Sequence, residues 1–299
     1  MKIIFLLLLN CSLSVNLLAQ EDSLLTSLLE EKPKEKTFSP SAFKGTRLIN
    51  GHTVETQRKN TLEFRVAHRF GDVEGGTETF WGLDKANMNL TFDYSFTNRL
   101  TIGVGRNSYQ KLYEGTVKYK VLKQTTDNSM PLSLVVLGKV NALTNTKGAQ
   151  YEDPINTLAY FGEIIIGRRF NNAFSFQLSP SFIHFNLASE TLKSNDIVAI
   201  TASGRYKFTK SAAVTSEYTQ TLNNYYYKEI ATYIPTFSVG FDLETGGHVF
   251  QLFFTNAFAL NETQYIPFTN TDWGKNQFRF GFNISRTFGS GKKNKKSNY

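Results

Sequence analysis

The sequence predicts an all-β fold, a single antiparallel transmembrane β-barrel of about 12 strands, and three observations predict it. Apolar and polar residues alternate with a period of two through most of residues 60–288, which is the side-chain period of a half-buried strand. The alternating segments are about 9–14 residues long, which suffices to cross an outer membrane at a tilt. Tight turns alternate with longer loops between them, as in bacterial outer-membrane barrels.

The composition excludes several other classes of protein. The 299 residues carry 33 Lys and Arg against 25 Asp and Glu, a formal net charge of +8. Hydrophobic residues make up 40% of the chain and charged residues 19%, while 26 Phe and 14 Tyr supply most of the aromatic rings. Few charges, many aromatic residues and a mean hydropathy of −0.29 exclude a disordered chain, a coiled coil and a helical membrane protein.

Residues 1–19 are expected to be a signal peptide. Lys2 is followed by the apolar run 3–9, and Ala19 supplies a small residue at the expected cleavage site. Polar residues within 10–16 disfavour an uncleaved anchor helix, and Asn10 disfavours lipidation of Cys11. The exported chain would then have no cysteine, and therefore no disulfide, thiol catalysis or cysteine-ligated metal.

Residues 20–59 are expected to form a periplasmic N-terminal segment or plug. Leucines at helical spacing occur only over 23–31, and Pro33 and Pro40 interrupt the chain beyond that stretch, so a linker is favoured over a domain. The barrel is predicted over 60–288. Residues 289–299 form a lysine-rich tail that is expected to be solvated in the periplasm.

The predicted strands succeed one another with few interruptions. The alternating segments are 62–66, 88–96, 100–104, 117–121, 132–142, 157–170, 174–184, 197–208, 212–220, 234–243, 248–258 and 277–288. Tight turns are predicted at 97–99, 171–173, 209–211 and 244–247, and longer loops at 71–85, 144–156, 185–195, 221–233 and 259–275. Two connections depart from the pattern, because 122–131 is long for a turn and 108–112 is short for a loop.

Alternation alone also fits a soluble β protein, and three features favour the membrane barrel. The polar face is heavily ionic. Aromatic residues cluster at predicted strand ends, where interfacial girdles lie; they include Phe70, Tyr94, Phe96, Phe170, Phe174, Tyr206 and Phe208. The last segment alternates aromatic residues from Phe278 to Phe288, a pattern similar to the signal read by outer-membrane assembly machinery.

Four stretches carry a resemblance to a known family. They are FKGTRLING at 43–51, LEFRVAHRFG at 62–71, FWGLDKAN at 80–87 and TIGVGR at 101–106. Together they resemble an uncharacterised family of Bacteroidota-type β-barrel proteins, catalogued as a domain of unknown function, over roughly residues 42–288. The resemblance implies an outer-membrane barrel and assigns no catalytic or ligand-binding residue.

The sequence offers no catalytic, cofactor or metal site, so we expect that the chain is not an enzyme. The four histidines, His52, His68, His184 and His248, include no pair at metal-ligand spacing. Gly103 and Gly105 resemble a phosphate loop only in part, and their polar register indicates that they relieve crowding inside the barrel. Nucleic acid is not expected as a partner of an exported chain.

The inward charges allow two interpretations. Pore-lining candidates are Arg65, Arg69, Lys118, Lys120, Lys139, Glu163, Arg169, Arg205, Glu217 and Arg279. Adding Glu63, Asp93, Glu114, Lys207 and Asp242 gives nine bases and six acids, an excess of 9 − 6 = 3 bases. Paired charges in a plugged interior are one interpretation. A narrow aqueous pore that favours small anionic solutes is the other.

The predicted function is a narrow passive channel in the outer membrane of a Gram-negative bacterium, with both termini in the periplasm. The alternative is a non-transporting anchor or docking platform for a periplasmic or surface partner. It would use the N-terminal segment and the aromatic outer loops with Trp81, Tyr151, Tyr225, Tyr226, Tyr227, Tyr265 and Trp273. Expected partners are outer-membrane lipid, a small anionic solute, and a periplasmic protein. Candidates for a plug or partner-binding element are Phe43, Lys44, Gly45, Arg47 and Asn50.

Overall fold

A computed structural model describes residues 37–145, 148–245 and 247–289. The predicted signal peptide, residues 20–36 and most of the basic tail lie outside the described residues. The strands are β1 Thr61–Asp72, β2 Ala86–Ser95, β3 Leu100–Asn107, β4 Leu112–Leu122, β5 Ser133–Leu143, β6 Leu158–Arg169, β7 Phe174–Phe185, β8 Asp196–Lys207, β9 Ala212–Thr221, β10 Thr236–Thr245, β11 His248–Thr255 and β12 Arg279–Gly289.

The strands close into a single barrel in which each strand pairs antiparallel with its neighbours in sequence. Closure is made by β1 and β12, where Leu62 lies opposite Phe288 and His68 lies opposite Phe282. Closure leaves no unpaired sheet edge, as a barrel within a membrane requires. The prediction of an all-β, 12-stranded antiparallel barrel is therefore confirmed.

Helical structure within the described ranges is confined to the connections. One α-helix, α1, spans Glu262–Phe268. Short 3₁₀ turns span Gly76–Gly82, Tyr109–Lys111, Ala149–Tyr151, Pro154–Thr157 and Trp273–Lys275. No helix among the described residues has the length and apolar character needed to cross a membrane.

The two faces of the barrel differ in polarity. Along β9 the polar Thr215, Glu217 and Thr219 are buried in the interior, while Tyr218 between them is 43% exposed on the outside. The same alternation places Phe92, Val117 and Phe241 on the outer surface. Because the outer face is apolar and the inner face polar, the barrel has the inside-out arrangement of a membrane-spanning protein.

The two ends of the barrel differ in the length of their connections. At one end, named the turn end, short connections join β2 to β3, β6 to β7, β8 to β9 and β10 to β11. The chain also enters β1 and leaves β12 at this end. The loop end carries the longer connections 73–85, 186–195, 222–235 and 256–278 and the one between β5 and β6, and the short connection 108–111 also lies there. The long turn 123–132 pairs with the chain that precedes the barrel, since the Ser39 amide donates to the Gln124 carbonyl at 2.9 Å.

Candidate functional site

Residues 43–54, named the lumen hairpin, form a tight reversal of the chain. Arg47 and His52 pair as an antiparallel bridge. The Thr53 amide donates to the Thr46 carbonyl at 2.9 Å, and the Leu48 amide donates to the Gly51 carbonyl at 3.0 Å. A two-stranded hairpin this short makes few contacts within itself, so the surrounding barrel must stabilise it.

The hairpin lies inside the barrel. Its hydrogen bonds reach inward-facing side chains on seven strands, namely Glu63 of β1, Lys118 of β4, Gln177 of β7, Glu217 of β9, Ser238 of β10, Gln251 of β11 and Asn283 of β12. These seven strands are distributed around the circumference of the closed twelve-stranded barrel. A segment that contacts all of them occupies the lumen.

The tip of the hairpin is held by charge-assisted hydrogen bonds. The Glu217 carboxylate accepts from the amides of Asn50 at 3.3 Å and Gly51 at 3.1 Å. Arg69 donates to the Ile49 carbonyl at 3.0 Å and to Asn50 Oδ1 at 2.9 Å. Asn50 in turn donates to Ser238 Oγ at 2.9 Å. Bonds of this kind are among the stronger hydrogen bonds in proteins, so the tip is firmly docked.

An apolar cluster complements these polar contacts. Hairpin residues Phe43, Leu48, Ile49 and Val54 pack with Val135, Ile165 and Phe253, which point inward from β5, β6 and β11. The sequence interpretation missed these inward apolar residues because it assigned the inward register to polar side chains. Their signal was present, since Val135, Ile165 and Phe253 each lie in an unbroken apolar run, the pattern of a strand that is buried on both faces.

A second element enters the lumen from the loop end. Helix α1 begins after Asn261, whose side chain accepts from the Thr263 amide at 3.0 Å. Its residues 262–267 are buried, and Tyr225 donates to the Pro267 carbonyl at 3.0 Å. Tyr225 and Tyr265 are thus buried at 1% and 2% exposure, so the expectation that they belong to an exposed docking surface was wrong.

The hairpin, the helix and the wall share one buried ionic network. Arg47 Nη1 lies 3.1 Å from Glu262 Oε1, and Glu262 Oε2 lies 2.5 Å from Lys139 Nζ. Lys139 also pairs with Glu114 at 2.9 Å. Charges alternate in sign along this chain of four, which offsets the cost of burying each of them. Glu262 was not among the predicted site residues, because it lies in a predicted outer loop outside the strand register.

Most of the pore-lining candidates face the lumen. Buried there are Arg65, Arg69, Lys118, Lys120, Lys139, Glu163, Arg205, Glu217 and Arg279. Lys118 donates to the carbonyls of Thr46 at 3.1 Å and Glu55 at 2.6 Å, and Lys120 pairs with Glu55 at 3.2 Å. Arg169 differs, because it is half-buried at the turn end and donates to the carbonyl of Asn171.

The candidate plug residues lie at different depths. Phe43, Gly45, Arg47 and Asn50 belong to the buried part of the hairpin. Lys44 is half-exposed at the turn end and pairs with Glu244 at 3.1 Å. The hairpin therefore has a charged rim contact and a buried tip.

His52 lies in the hairpin, outside the strands. Burial lowers the pKa of its imidazole well below the ordinary value, and the positive charges of Arg47 and Lys139 lower it further. The nearest carboxylate oxygen, Glu262 Oε1, is 3.6 Å from Nε2. The docked position of the hairpin therefore favours the neutral form of the His52 imidazole.

The other histidines lie on the outer face. His68 stacks on Phe282 with ring centroids 5.0 Å apart, and His184 Nδ1 lies 2.7 Å from Asp196 Oδ1. Within the described residues no group of three or more His, Cys, Asp or Glu side chains is arranged to hold a metal ion. At Gly103 and Gly105 an added Cβ atom would collide with the carboxylates of Asp93 and Glu114, so these glycines do make room inside the lumen.

The closed barrel, apolar outside and polar inside, defines a membrane-bound β-barrel of the outer-membrane type. Residues 43–288 match the family described as "Membrane bound beta barrel domain (DUF5777)", and the chain belongs to that family. The matched range begins at Phe43, so it includes the lumen hairpin as well as the strands.

Comparison with curated protein sequences finds no match. Among solved structures, the chain is similar to a KdgM porin at 11% identity and a TM-score of 0.47, covering 76% of this chain and 99% of that one. It is also similar to the COG4313 outer membrane channel from Pseudomonas putida F1, at 13% identity and a TM-score of 0.45, covering 87% and 100%. At these identities and TM-scores the similarities support no argument about function.

Proposed function

We propose that this protein is a gated outer-membrane channel that the lumen hairpin closes at rest. When the hairpin withdraws, the barrel provides a narrow path for small solutes, with a preference for anions. The observation that carries the proposal is the way the hairpin fills the lumen. Its contacts to the wall are mostly hydrogen bonds and ion pairs, and water can replace such bonds when the hairpin leaves.

The preference for anions rests on the wall that the hairpin covers. The inward register of the described strands holds nine bases and seven acids, because Glu244 of β10 faces the lumen as well as the six acids that the sequence predicted. Withdrawal would free four bases, Arg65, Arg69, Lys118 and Lys120. It would also free four acids, Glu63, Glu217, Glu244 and Glu262, so the preference rests on the excess of bases over acids in the strand register. An exposed excess of cations in a narrow, low-dielectric passage attracts anions and repels cations.

We assign the turn end to the periplasm and the loop end to the cell exterior. An even number of strands returns the chain to the side from which it started, and outer-membrane barrels place their short turns in the periplasm. The hairpin would then enter the lumen from the periplasmic side. Origin from the Bacteroidota, like the absence of an enzymatic activity, stays a prediction.

The test is the conductance of the refolded barrel in a planar bilayer, with and without residues 38–55. We expect the full chain to be closed for most of the record, and the deletion variant to show steady, anion-preferring steps. Adding Lys118→Glu to the deletion variant should reduce the anion preference. Lys228→Glu, an exposed charge in a loop, serves as the matched control and should leave the preference unchanged.

Folding of each variant is checked by circular dichroism and by the heat-dependent gel shift of intact barrels. A deletion variant that is folded but shows no conductance would overturn the proposed channel function. That result would favour the alternative function, an anchor whose N-terminal segment holds a periplasmic partner.

A further inference from the structure

The loop end contains a cavity of about 650 Å³, named the vestibule. This volume lies within the range of about 300–1,000 Å³ that is usual for small-molecule sites. Five aromatic rings from four connections line it and remain at least partly exposed, namely Tyr109, Tyr151, Tyr233, Phe258 and Phe268. The rings are held by one another, since Tyr109 packs edge-on against Phe258 and Tyr233 packs edge-on against Phe268, with centroids 5.5 and 5.7 Å apart.

Amide side chains lie between the rings. Gln110 and Asn270 are exposed at the lining, and Gln264 and Asn256 contribute from the buried side. Gln264 is fixed by neighbours, because it accepts from Asn107 at 3.1 Å and donates to Gln110 at 2.8 Å. The side-chain amides of Gln264 and Asn256 are already used by protein partners. The exposed amides of Gln110 and Asn270 are therefore the ones that offer a donor and an acceptor to a bound molecule.

The charges in the lining nearly balance. Asp72, Lys85 and Arg279 contribute one negative and two positive charges. The Arg279 guanidinium lies 5.1 Å from the centroid of Phe258 and donates to Thr271 Oγ1 at 3.3 Å, so part of its binding capacity is already used. The vestibule therefore lacks the cluster of free cations that recognises a multiply charged anion.

We propose that the vestibule binds a neutral oligosaccharide. A sugar ring presents a flat face of C–H groups, which packs on an aromatic ring, and an edge of hydroxyl groups, which both donate and accept hydrogen bonds. Exposed rings interleaved with amides match these two requirements at once, and the volume accommodates a short oligosaccharide. The proposal goes beyond the channel function and does not depend on withdrawal of the hairpin.

The experiment measures binding of defined trisaccharides to the refolded full-length barrel. The detergent is a zwitterionic amine oxide, because sugar-based detergents would compete. The probes are maltotriose, cellotriose and tri-N-acetylchitotriose as neutral compounds, trigalacturonic acid as an acidic one, and 2-naphthol as an apolar aromatic one. Calorimetry gives affinities, and saturation-transfer NMR identifies the protons that contact the protein.

We expect at least one neutral trisaccharide to bind with saturation transfer to its C–H protons. Tyr109→Ala and Tyr233→Ala should each weaken that binding about tenfold, the change that about 1.4 kcal/mol of lost contact produces. Tyr109→Phe keeps the ring and should retain most of the affinity. Tyr119→Ala removes a tyrosine from the outer face of the barrel and is the matched control, with unchanged affinity expected.

Three results would overturn the proposal. The first is the absence of binding by all three neutral trisaccharides to a barrel whose fold is verified. The second is tighter binding of trigalacturonic acid that disappears in high salt, which would make the site electrostatic. The third is neutral binding that both alanine variants at Tyr109 and Tyr233 leave unchanged, which would place the sugar elsewhere.

Discussion

The guanidinium of Arg47 and the carboxylate of Glu262 form an ion pair of 3.1 Å inside the lumen, where their side chains are 2% and 1% exposed. Arg47 belongs to the hairpin that enters from the turn end, and Glu262 begins the helix that enters from the loop end. The pair therefore joins two inserted elements that are far apart in sequence. Lys139 on the wall binds the same carboxylate, so the pair is also tied to the barrel.

Glu262→Gln should loosen the hairpin. The substitution keeps the shape of the side chain but removes the negative charge that Arg47 and Lys139 share. Breaking a buried ion pair on one side costs about 3–5 kcal/mol, because the remaining charges stay buried without compensation. We expect more frequent openings in bilayer recordings and a lower midpoint of unfolding in urea.

The matched control for this substitution is Glu190→Gln, which removes an exposed carboxylate from a loop. It should change neither measurement, since substitutions at the surface usually alter stability by less than about 0.5 kcal/mol. Equal behaviour of the two variants would contradict the role assigned to Glu262.

A cross-link between the hairpin tip and the wall should keep the barrel closed. Asn50 Nδ2 and Ser238 Oγ are 2.9 Å apart, so cysteines at these two positions lie within reach of dibromobimane, which joins two thiols several ångströms apart. Introduced into the Glu262→Gln background, the linked pair should abolish the openings of that variant. Conductance and bimane fluorescence are measured on the same sample.

Each single cysteine, treated with the same reagent, is the control for this experiment and should leave the openings unchanged. Chain preparations that lack residues 1–19 carry no other cysteine, because Cys11 is the only one in the sequence. Openings that persist in a fully cross-linked sample would mean that solutes pass by a route that the hairpin does not close.

Acidification should favour withdrawal of the hairpin through His52. Burial and the nearby positive charges of Arg47 and Lys139 lower the pKa of docked His52, whereas an exposed histidine titrates near about 6.5. The withdrawn state therefore binds more protons than the docked state. Docking is at full strength above about pH 6.5 and weakens as the pH falls below it, by at most about 1.4 kcal/mol per pH unit for one proton.

The measurement is the open fraction in bilayer recordings between pH 8 and pH 5, in steps of about half a unit that bracket the ordinary histidine range. His52→Gln should remove the rise in open fraction that begins below about pH 6.5. His248→Gln, on the outer face, should keep it. If His52→Gln retains the full pH dependence, other groups that face His52, such as Glu262 and Lys118, must carry it.

Gly103→Ala should destabilise the barrel by overpacking its interior. The added methyl group would overlap the carboxylate of Asp93, and overpacking of a filled interior costs about 1–3 kcal/mol. Gly138→Ala is the matched control, because Gly138 faces outward and an added Cβ atom there meets no heavy atom within 4 Å. Urea unfolding in lipid vesicles should show a loss only for Gly103→Ala.

The strands were predictable because each carries its own signal. Period-two alternation in segments such as 88–96 fixes both the strand and its inward register, and an even number of such strands is what closure into a barrel needs. The inward position of Lys118 and Glu217 was predictable for the same reason. The partners of these residues were not, since Thr46 and Asn50 lie in a segment that has no periodicity.

The inserted helix was the least predictable part. Glu262 lies in a connection that resembles an exposed loop, and no local pattern reveals that a loop folds inward. The inward apolar residues Leu137, Phe161 and Ile183 that pack around the helix are the indirect signal. Apolar side chains that face a polar lumen are unfavourable unless another apolar surface covers them. Their presence therefore indicates that some segment is inserted, but it does not identify the segment.

The contact of Ser39 with the long turn 123–132 has a kinetic consequence. Residues 55–60 connect the hairpin to β1, and on the other side Ser39, four residues before the hairpin, is bound to Gln124 at the rim. A withdrawn hairpin thus stays beside the opening, at an effective concentration of the order of millimolar for so short a connection. In the proposed channel, resealing would therefore be a first-order event whose rate does not depend on how many copies of the protein the membrane holds.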